Sequence, residues 1–388
     1  MIYLDNASTS WPKPESVYRT VDLVLREEAG NPGRAGHALS TAARRRIEET
    51  RLLLARFFNA PRPERIVFAM NTTDALNLAI KGLVLKGLRD GVGSHVVTSS
   101  MEHNSVARPL ESLRASGVEH TKVATCPVNG ADLDGIKAAI RKNTKLVIWN
   151  HVSNVSGTVN PIAEIGALCR ERNIPLLVDA AQSAGTMPID VQAMGISLLA
   201  FPGHKGLFGP QGTGGLYIEP GLDPLPLREG GTGSHSGDTL QPMELPDRYE
   251  SGTMNTADIA GLGEGIRFLM EHGLEKVMAH EAKLANRLIA GIQELPGLKV
   301  HGPPGGPNRK GVVSISLDTL APTDAALILE NTFDIAVRPG LHCAPDAHGT
   351  LGTLDSGGTI RAGIGYLNTK ADIDRYIEAL SAISGEGC

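Results

Sequence analysis

The sequence predicts an α/β protein: a mainly parallel sheet covered by helices on both faces, followed by a smaller α+β unit. Three observations carry this. Between residues 65 and 178, short runs rich in Val, Ile and Leu alternate with amphipathic stretches of helical period. Most of those runs are predominantly apolar, as strands buried on both faces are. After residue 257 the order changes to two long helical stretches and then isolated strands, the pattern of an α+β unit.

Taken in order, Tyr3-Leu4-Asp5-Asn6-Ala7 reads as a short strand entering a turn. Pro12 and Pro14 lead into a helix through Val17, Val21, Val24 and Leu25, which Gly30-Asn31-Pro32-Gly33 ends. Ser40 is the expected N-cap of a second helix running to about Asn59, with Arg44, Arg45, Arg46, Glu48 and Glu49 on its wet side. The alternation then begins with a strand from Arg65 to Ala69, a helix from about Thr73 to Leu88, a strand from Ser94 to Ser99 and a helix from about Ser105. It continues with a strand near Val118 to Val123, a helix from Leu133 to Ile140, a strand from Lys145 to Trp149, a helix opened by Pro161 and a strand from Ile174 to Val178. From Pro220 to Glu250 the composition shifts to Gly, Pro, Ser and Asp, including Gly230-Gly231-Thr232-Gly233-Ser234; an irregular excursion of that length is expected to be functional or to reach a neighbour.

Two helices are expected next, from Ala257 to about His272 and onward to about Leu295, the first placed to bridge lobes. Past the Gly/Pro stretch at 302–307 come a strand from Gly311 to Leu317, a helix from about Thr323 and a further strand. A loop from Arg338 to Gly358, a strand at Thr359-Ile360-Arg361 and a helix capped by Thr369 close the chain.

At 388 residues the chain can hold a large and a small domain. A net charge of −5 without a basic run argues against nucleic acid or an anionic membrane as the main partner. No apolar run approaches the ~18 residues that span a bilayer, and the first residues lack the basic and apolar segments of a secretory signal, so the expected location is the cytoplasm. The cysteines Cys126, Cys169, Cys343 and Cys388 show no CxxC pair and read as free thiols in a reducing compartment.

The chemistry centres on Phe201-Pro202-Gly203-His204-Lys205-Gly206, a lysine just past an apolar run. A desolvated lysine at such a place suits a Schiff base with an aldehyde cofactor, although a lysine among glycines is also an ordinary turn residue. Asp179 ends the apolar run Leu176-Leu177-Val178, with Gln182 three positions on; an acid at a strand's carboxyl end faces the ligand crevice or caps a turn. An aspartate paired with such a lysine is what pyridoxal phosphate requires, because the protonated ring nitrogen is its electron sink. Asn71-Thr72-Thr73-Asp74 opens a helix after a strand, where free amides and two hydroxyls make a phosphate cup or a simple N-cap. His103 follows another strand end, placed to stack on a flat ring or to serve structure alone. In the tail, Arg361 can grip a carboxylate in bidentate fashion, and Cys343 sits on a Gly/Pro loop where a thiol can be an exposed nucleophile. His342, Cys343 and His348 do not make a metal site, since a fourth ligand at zinc spacing is missing.

Together these segments resemble the class V, fold-type I pyridoxal-phosphate enzymes, and within them the cysteine desulfurase and selenocysteine lyase family. The anchors run nearly the whole chain in order: Tyr3 to Ala7, Gly30-Asn31-Pro32, Asn71-Thr72-Thr73, Glu102-His103-Asn104, Ser153 to Thr158, Val178 to Gln182, Gly203-His204-Lys205, Ser251 to Asn255, His342-Cys343-Ala344 and Arg361. The resemblance implies a large cofactor-binding domain with a seven-stranded sheet at 14–262, and a small α+β domain of 1–13 and 263–388 carrying the cysteine loop. It implies pyridoxal 5′-phosphate bound to Lys205, with Asp179 at the ring nitrogen, Gln182 at the phenolic oxygen and His103 stacked on the ring. Thr72, Thr73 and His204 would hold the phosphate, with Thr253 from the partner subunit of a homodimer; Asn154 and Arg361 would position the substrate's carboxylate; Cys343 would take its sulfur. Two positions depart from the family pattern: Pro202 stands where many relatives have a serine, and Asn71 replaces a frequent glycine. The 18 residues from Cys343 to Arg361 resemble the short loop of the SUF-type, or group II, branch. The implied activity is cysteine desulfuration, giving L-alanine and a persulfide on Cys343 for an acceptor protein. Selenocysteine lyase, another β-elimination, a simple aminotransferase and a sulfur-carrier scaffold working through a relay partner are the readings left open.

Overall fold

The computed structural model describes residues 1–33, 36–91, 95–234 and 236–385, so Ser94 and Cys388, both named above, lie outside the described residues. The first half of the chain holds β1 (Ile2–Tyr3), α1 (Glu15–Leu23), α2 (Ala38–Phe57), β2 (Ile66–Ala69), α3 (Thr72–Arg89), β3 (His95–Ser99), α4 (Asn104–Leu113), β4 (Glu119–Val123), α5 (Leu133–Ala139), β5 (Thr144–Asn150), α6 (Ile162–Glu171), β6 (Leu176–Asp179), β7 (Leu198–Pro202) and β8 (Gly214–Ile218). After the irregular stretch come α7 (Thr256–His272), α8 (Leu274–Gln293), β9 (Leu298–His301), β10 (Val312–Leu317), α9 (Pro322–Phe333), β11 (Ile335–Ala336), β12 (Arg338–Gly340), α10 (Pro345–Leu351), β13 (Thr359–Gly363) and α11 (Lys370–Gly385).

Seven strands form the large sheet in the order β2-β8-β7-β6-β5-β3-β4, with β8 antiparallel to both neighbours and the remaining pairs parallel. The apolar runs have a direct cause in burial. In β5, Val147 and Trp149 belong to a core shared with α2, α6 and α7, while Leu146 and Ile148 belong to a second core with α3 and α4. Successive side chains point to opposite faces, so the middle of a strand covered on both sides is apolar at consecutive positions, as Leu146 to Trp149 are.

A third core joins the antiparallel sheet β12-β13-β10-β9 to α8, α9 and α11, through residues such as Ile315, Ile360, Leu288, Leu329 and Tyr376. Leu4 is buried in this core, and β1 pairs with β11, so the chain's first residues are tied to its last third. No helix among the described residues is long and apolar enough to cross a membrane.

Helix and strand limits fall within a few residues of those expected, with four corrections. Ser40 is not the cap of α2: the helix starts earlier, and His37 Nδ1 accepts the Ser40 amide at 3.2 Å, an imidazole nitrogen doing what a hydroxyl was expected to do. The segment from Arg338 to Gly358 is not a plain loop, since it contains β12 and α10, the latter opened by Pro345 in its first turn. Two strands were not expected: β8, whose Gly214 and Gly215 dilute the strand signal, and β9, which is short and interrupted by Lys299.

Candidate active site

In an open parallel sheet the carboxyl ends of the strands define the crevice, and here they converge on one cavity of about 290 Å³. The end of β2 supplies Thr72 and Thr73, β3 His103, β5 Asn154, β6 Asp179 and Gln182, and β7 His204 and Lys205. Eight of the site residues expected from the sequence therefore meet, although they span more than a hundred positions of chain.

Lys205 keeps some access through the cavity, but the dense protein around it desolvates its ammonium. Burial, reinforced by the Arg361 guanidinium, lowers it to about 8, with Asp179 pulling the other way. Asp179 is 4% exposed, and its Oδ1 accepts the Ala181 amide at 2.9 Å. Burial raises this carboxyl, while the Ala181 amide and the charge of Lys205 hold it back. The two imidazoles beside Lys205 stay neutral: burial, with Lys205 adding to it, lowers both His103 and His204 to about 4. His103 Nδ1 accepts the Ser105 amide at 3.1 Å, which caps α4 and leaves Nε2 for other work.

The cavity fits pyridoxal 5′-phosphate, which combines an aldehyde, a basic ring nitrogen and a phosphate. Lys205 is a desolvated amine and Asp179 a buried acid. The N-terminus of α3 offers the phosphate its first amides, because Asn71 Oδ1 takes the Asp74 amide alone, at 3.0 Å, and beside them stands the Thr73 hydroxyl, 2.7 Å from Ser105 Oγ. His204 Nδ1 is buried with no hydrogen-bond partner among the described residues, as a group awaiting a ligand would be. Gln182 Nε2 donates to the Ala7 carbonyl at 2.9 Å, which leaves its second proton uncommitted in that contact. Pro202 is buried at the end of β7, opposite Gly214.

Arg361 approaches from β13. It is 1% exposed and donates to Asp5 Oδ1 at 3.0 Å, Ser8 Oγ at 2.8 Å and the Asn154 carbonyl at 3.0 Å, while its Nε is buried without a partner among the described residues. Asn154 Nδ2 donates to the His342 carbonyl at 2.8 Å, so the crevice is fastened to the cysteine turn. Cys343 is exposed; it lines an adjoining groove of about 480 Å³ between α3 and α4, which shares Thr73, His103 and Ser105 with the cavity. Arg338 Nη2 donates to Cys343 Sγ at 3.4 Å, and its Nη1 donates to Ser8 Oγ at 3.0 Å. His342 and His348 contact each other through Nδ1 and Nε2 at 3.1 Å, and His348 Nδ1 reaches Thr353 Oγ1 at 2.7 Å. Their nitrogens thus serve a buried relay under the turn.

Thr253 stands apart. It lines a separate cavity of about 260 Å³ beside α2, where Asn31 Nδ2 donates to its hydroxyl at 3.5 Å. Asp5, Ser8, Ser105 and Arg338 were not among the expected site residues, yet all four touch it. Arg338 opens the same tail motif as Cys343, and an arginine five residues before a candidate nucleophile was the available signal. Asp5 and Ser8 gave none, since their partner Arg361 lies more than 350 residues away.

Comparison with known proteins agrees with this geometry. Residues 2–376 match the family Aminotransferase class-V. A probable cysteine desulfurase of Methanothermobacter thermautotrophicus is 38% identical over 390 residues, covering 100% of this chain and 95% of that protein. A cysteine desulfurase of Escherichia coli O157:H7 is 32% identical, covering 99% and 93%. The apo structure of a cysteine desulfurase from Thermococcus onnurineus NA1 superimposes with a TM-score of 0.92 at 34% identity, over 99% of this chain and 94% of that one. The chain belongs to the class-V aminotransferase family, whose enzymes depend on pyridoxal phosphate, and within it is similar along its full length to cysteine desulfurases.

Proposed function

We propose that the protein is an L-cysteine desulfurase, which passes the sulfur of L-cysteine to Cys343 and releases L-alanine. One observation carries this reading: the groove that Cys343 lines shares three residues with the cavity that holds Lys205, so a nucleophilic thiol adjoins a cofactor lysine. An aminotransferase gives that thiol no task.

In this reading Lys205 would hold the cofactor's aldehyde, Asp179 its ring nitrogen and Gln182 its phenolic oxygen, and His103 would lie against its ring. Thr72, Thr73 and His204 take the phosphate, joined by Thr253 of the partner subunit in a homodimer. When bound there, pyridoxal 5′-phosphate supplies an electron sink for the bonds at the substrate's Cα. Arg361 and Asn154 hold the substrate carboxylate. Lys205, with its affinity for protons lowered by burial, removes the Cα proton and carries it within the cavity. Cys343 Sγ, as thiolate, attacks the substrate sulfur; the S–S bond forms as the Cβ–S bond breaks, Cβ takes a proton, and alanine leaves. The sulfur stays on Cys343 as a persulfide.

The rest of the reading concerns the setting. The short span from Cys343 to Arg361 supports the SUF-type branch, in which an acceptor protein meets the persulfide at the turn instead of a long loop carrying it away. The functional division is a cofactor domain at 14–262 and a cysteine-bearing domain of 1–13 and 263–388, in a cytoplasmic enzyme.

The test is direct. With L-cysteine and a thiol reductant, the purified protein should release alanine and sulfide in equal amounts, and Cys343 should gain one sulfur by mass. Cys343→Ala should lose ~10²-fold or more of that turnover and keep its visible cofactor band. Unchanged turnover in Cys343→Ala would sink the assignment.

A further inference from the structure

Glu102, between the end of β3 and the start of α4, is a carboxyl that the proposed reaction does not use. It is 2% exposed. Its Oε1 accepts the Ser99 hydroxyl at 2.5 Å, the Asn150 amide at 3.1 Å and Asn150 Nδ2 at 3.0 Å. Its Oε2 is buried without a hydrogen-bond partner, and no lysine, arginine or histidine forms an ion pair with Glu102 among the described residues. An ionised carboxylate so placed lacks both a counter-charge and full hydrogen bonding, the condition under which a buried acid keeps its proton.

A second acid lies close by. Asn150, which Glu102 holds by two donors, is paired with Asp179 across β5 and β6, and both line the cavity. Two carboxyls sharing one dry region do not both ionise. Both acids accept a backbone amide, but Asp179 is the one favoured as an anion, since it also faces the charge of Lys205, whereas Glu102 is paired with no cation among the described residues. Glu102 also immediately precedes His103, whose ring nitrogen caps α4.

We propose that Glu102 is a positioning residue held as a neutral acid, which fixes Asn150 and the His103 turn while leaving Asp179 the sole ionised carboxylate at the cavity floor. Burial, and next the charge of Asp179, push Glu102 up to about 8, against the pull of Ser99 and Asn150. The link to catalysis rests on the proposed cofactor site; the location of the proton does not.

The experiment is infrared spectroscopy of the full-length protein, as purified and after cofactor removal. Glu281, the other buried glutamate pushed up to about 8, is first replaced by Gln to remove its band. In that background, glutamate labelled with ¹³C at the side-chain carboxyl should show a protonated-carboxyl C=O band near neutral pH. The band should fade as pH passes about 8 and be absent after Glu102→Gln. Thermal melting gives a second readout. A raised carboxyl binds in the folded state a proton that the unfolded chain has released, so it favours folding at low pH and loses that effect as pH climbs from the ordinary carboxylate range to about 8. The melting temperature of Glu102→Gln should therefore gain on its Glu102 parent across that window. Absence of the band in the Glu281→Gln background overturns the proposal, even if Glu102→Gln fails to fold. A melting difference flat with pH also overturns it. A protein that shows the band but releases no alanine defeats the desulfurase reading and leaves this inference standing; desulfurase activity without the band does the reverse.

Discussion

The floor of the cavity and its rim are built by opposite means. At the floor, Asp179 and Lys205 follow the ends of two adjacent parallel strands, and their properties come from exclusion of water and from each other's charge. At the rim, Cys343 is exposed and sits in a turn where His342 and Cys343 both adopt positive φ, 49° and 56°. Residues with a Cβ enter that region at a cost, so the surroundings must hold them there. Here two of the holds come from afar, Asn154 on the His342 carbonyl and the Asn104 amide donating to the Cys343 carbonyl at 2.8 Å, and one is local, Arg338 at Sγ. Desolvation thus sets the reactivity of the floor, while backbone geometry sets the reach of the rim.

Removing the floor while sparing the rim should have the largest effect. In the proposed reaction Lys205→Ala would take away both the amine for the aldehyde and the base at Cα, so alanine release should fall ~10⁴-fold or more. The rate at which iodoacetamide alkylates Cys343 in the cofactor-free protein should stay within about twofold, because the thiol is exposed in its own right. A large change in alkylation would show that floor and rim are one unit.

A smaller effect should come from disturbing the rim alone. Gly358 has φ +98°, and a Cβ on it would run into the Gly340 carbonyl oxygen and approach Leu341 N at 3.0 Å, where β12 leads into the cysteine turn. Gly358→Ala should cost about 1–3 kcal/mol of stability by denaturant titration. Cysteine turnover should drop ~10-fold as the turn shifts, while the visible cofactor band and its affinity hold. Equal loss of cofactor affinity would break the comparison.

The same contrast explains what the sequence made legible. Asp179 and Lys205 could be singled out because each follows a run that burial makes apolar, and strand ends in a parallel sheet are where ligands bind. The alternation around β3, β5 and β6 was readable for that reason. What stayed hidden depends on partners distant in sequence. Nothing near Arg361 signals Asp5 and Ser8, and nothing near Cys343 signals Asn154. Glu102 could be quoted as part of a motif, but its burial, and so its protonation, appears only once β3 and β5 lie side by side. α10 was missed because its seven residues, opened by Pro345 and holding Gly349, carry weak helical signals.

The smallest effect expected is on stability against pH. Lys205 is lowered from 10.5 to about 8 in the folded protein. Between those values the unfolded chain keeps a proton that the folded chain has released, so stability rises with pH across that window; below about 8 the folded state bears the cost of a desolvated ammonium. In cofactor-free protein, Lys205→Met should therefore melt a few degrees above the parent at pH 7, with the gap closing as pH rises past 8. Cys343→Ser, at an exposed position, should shift stability by no more than about 0.5 kcal/mol at either pH. If the lysine variant instead melts below the parent at pH 7, contacts of the Lys205 side chain outweigh its desolvation. The floor would then be held by packing, and its contrast with the rim would be one of degree.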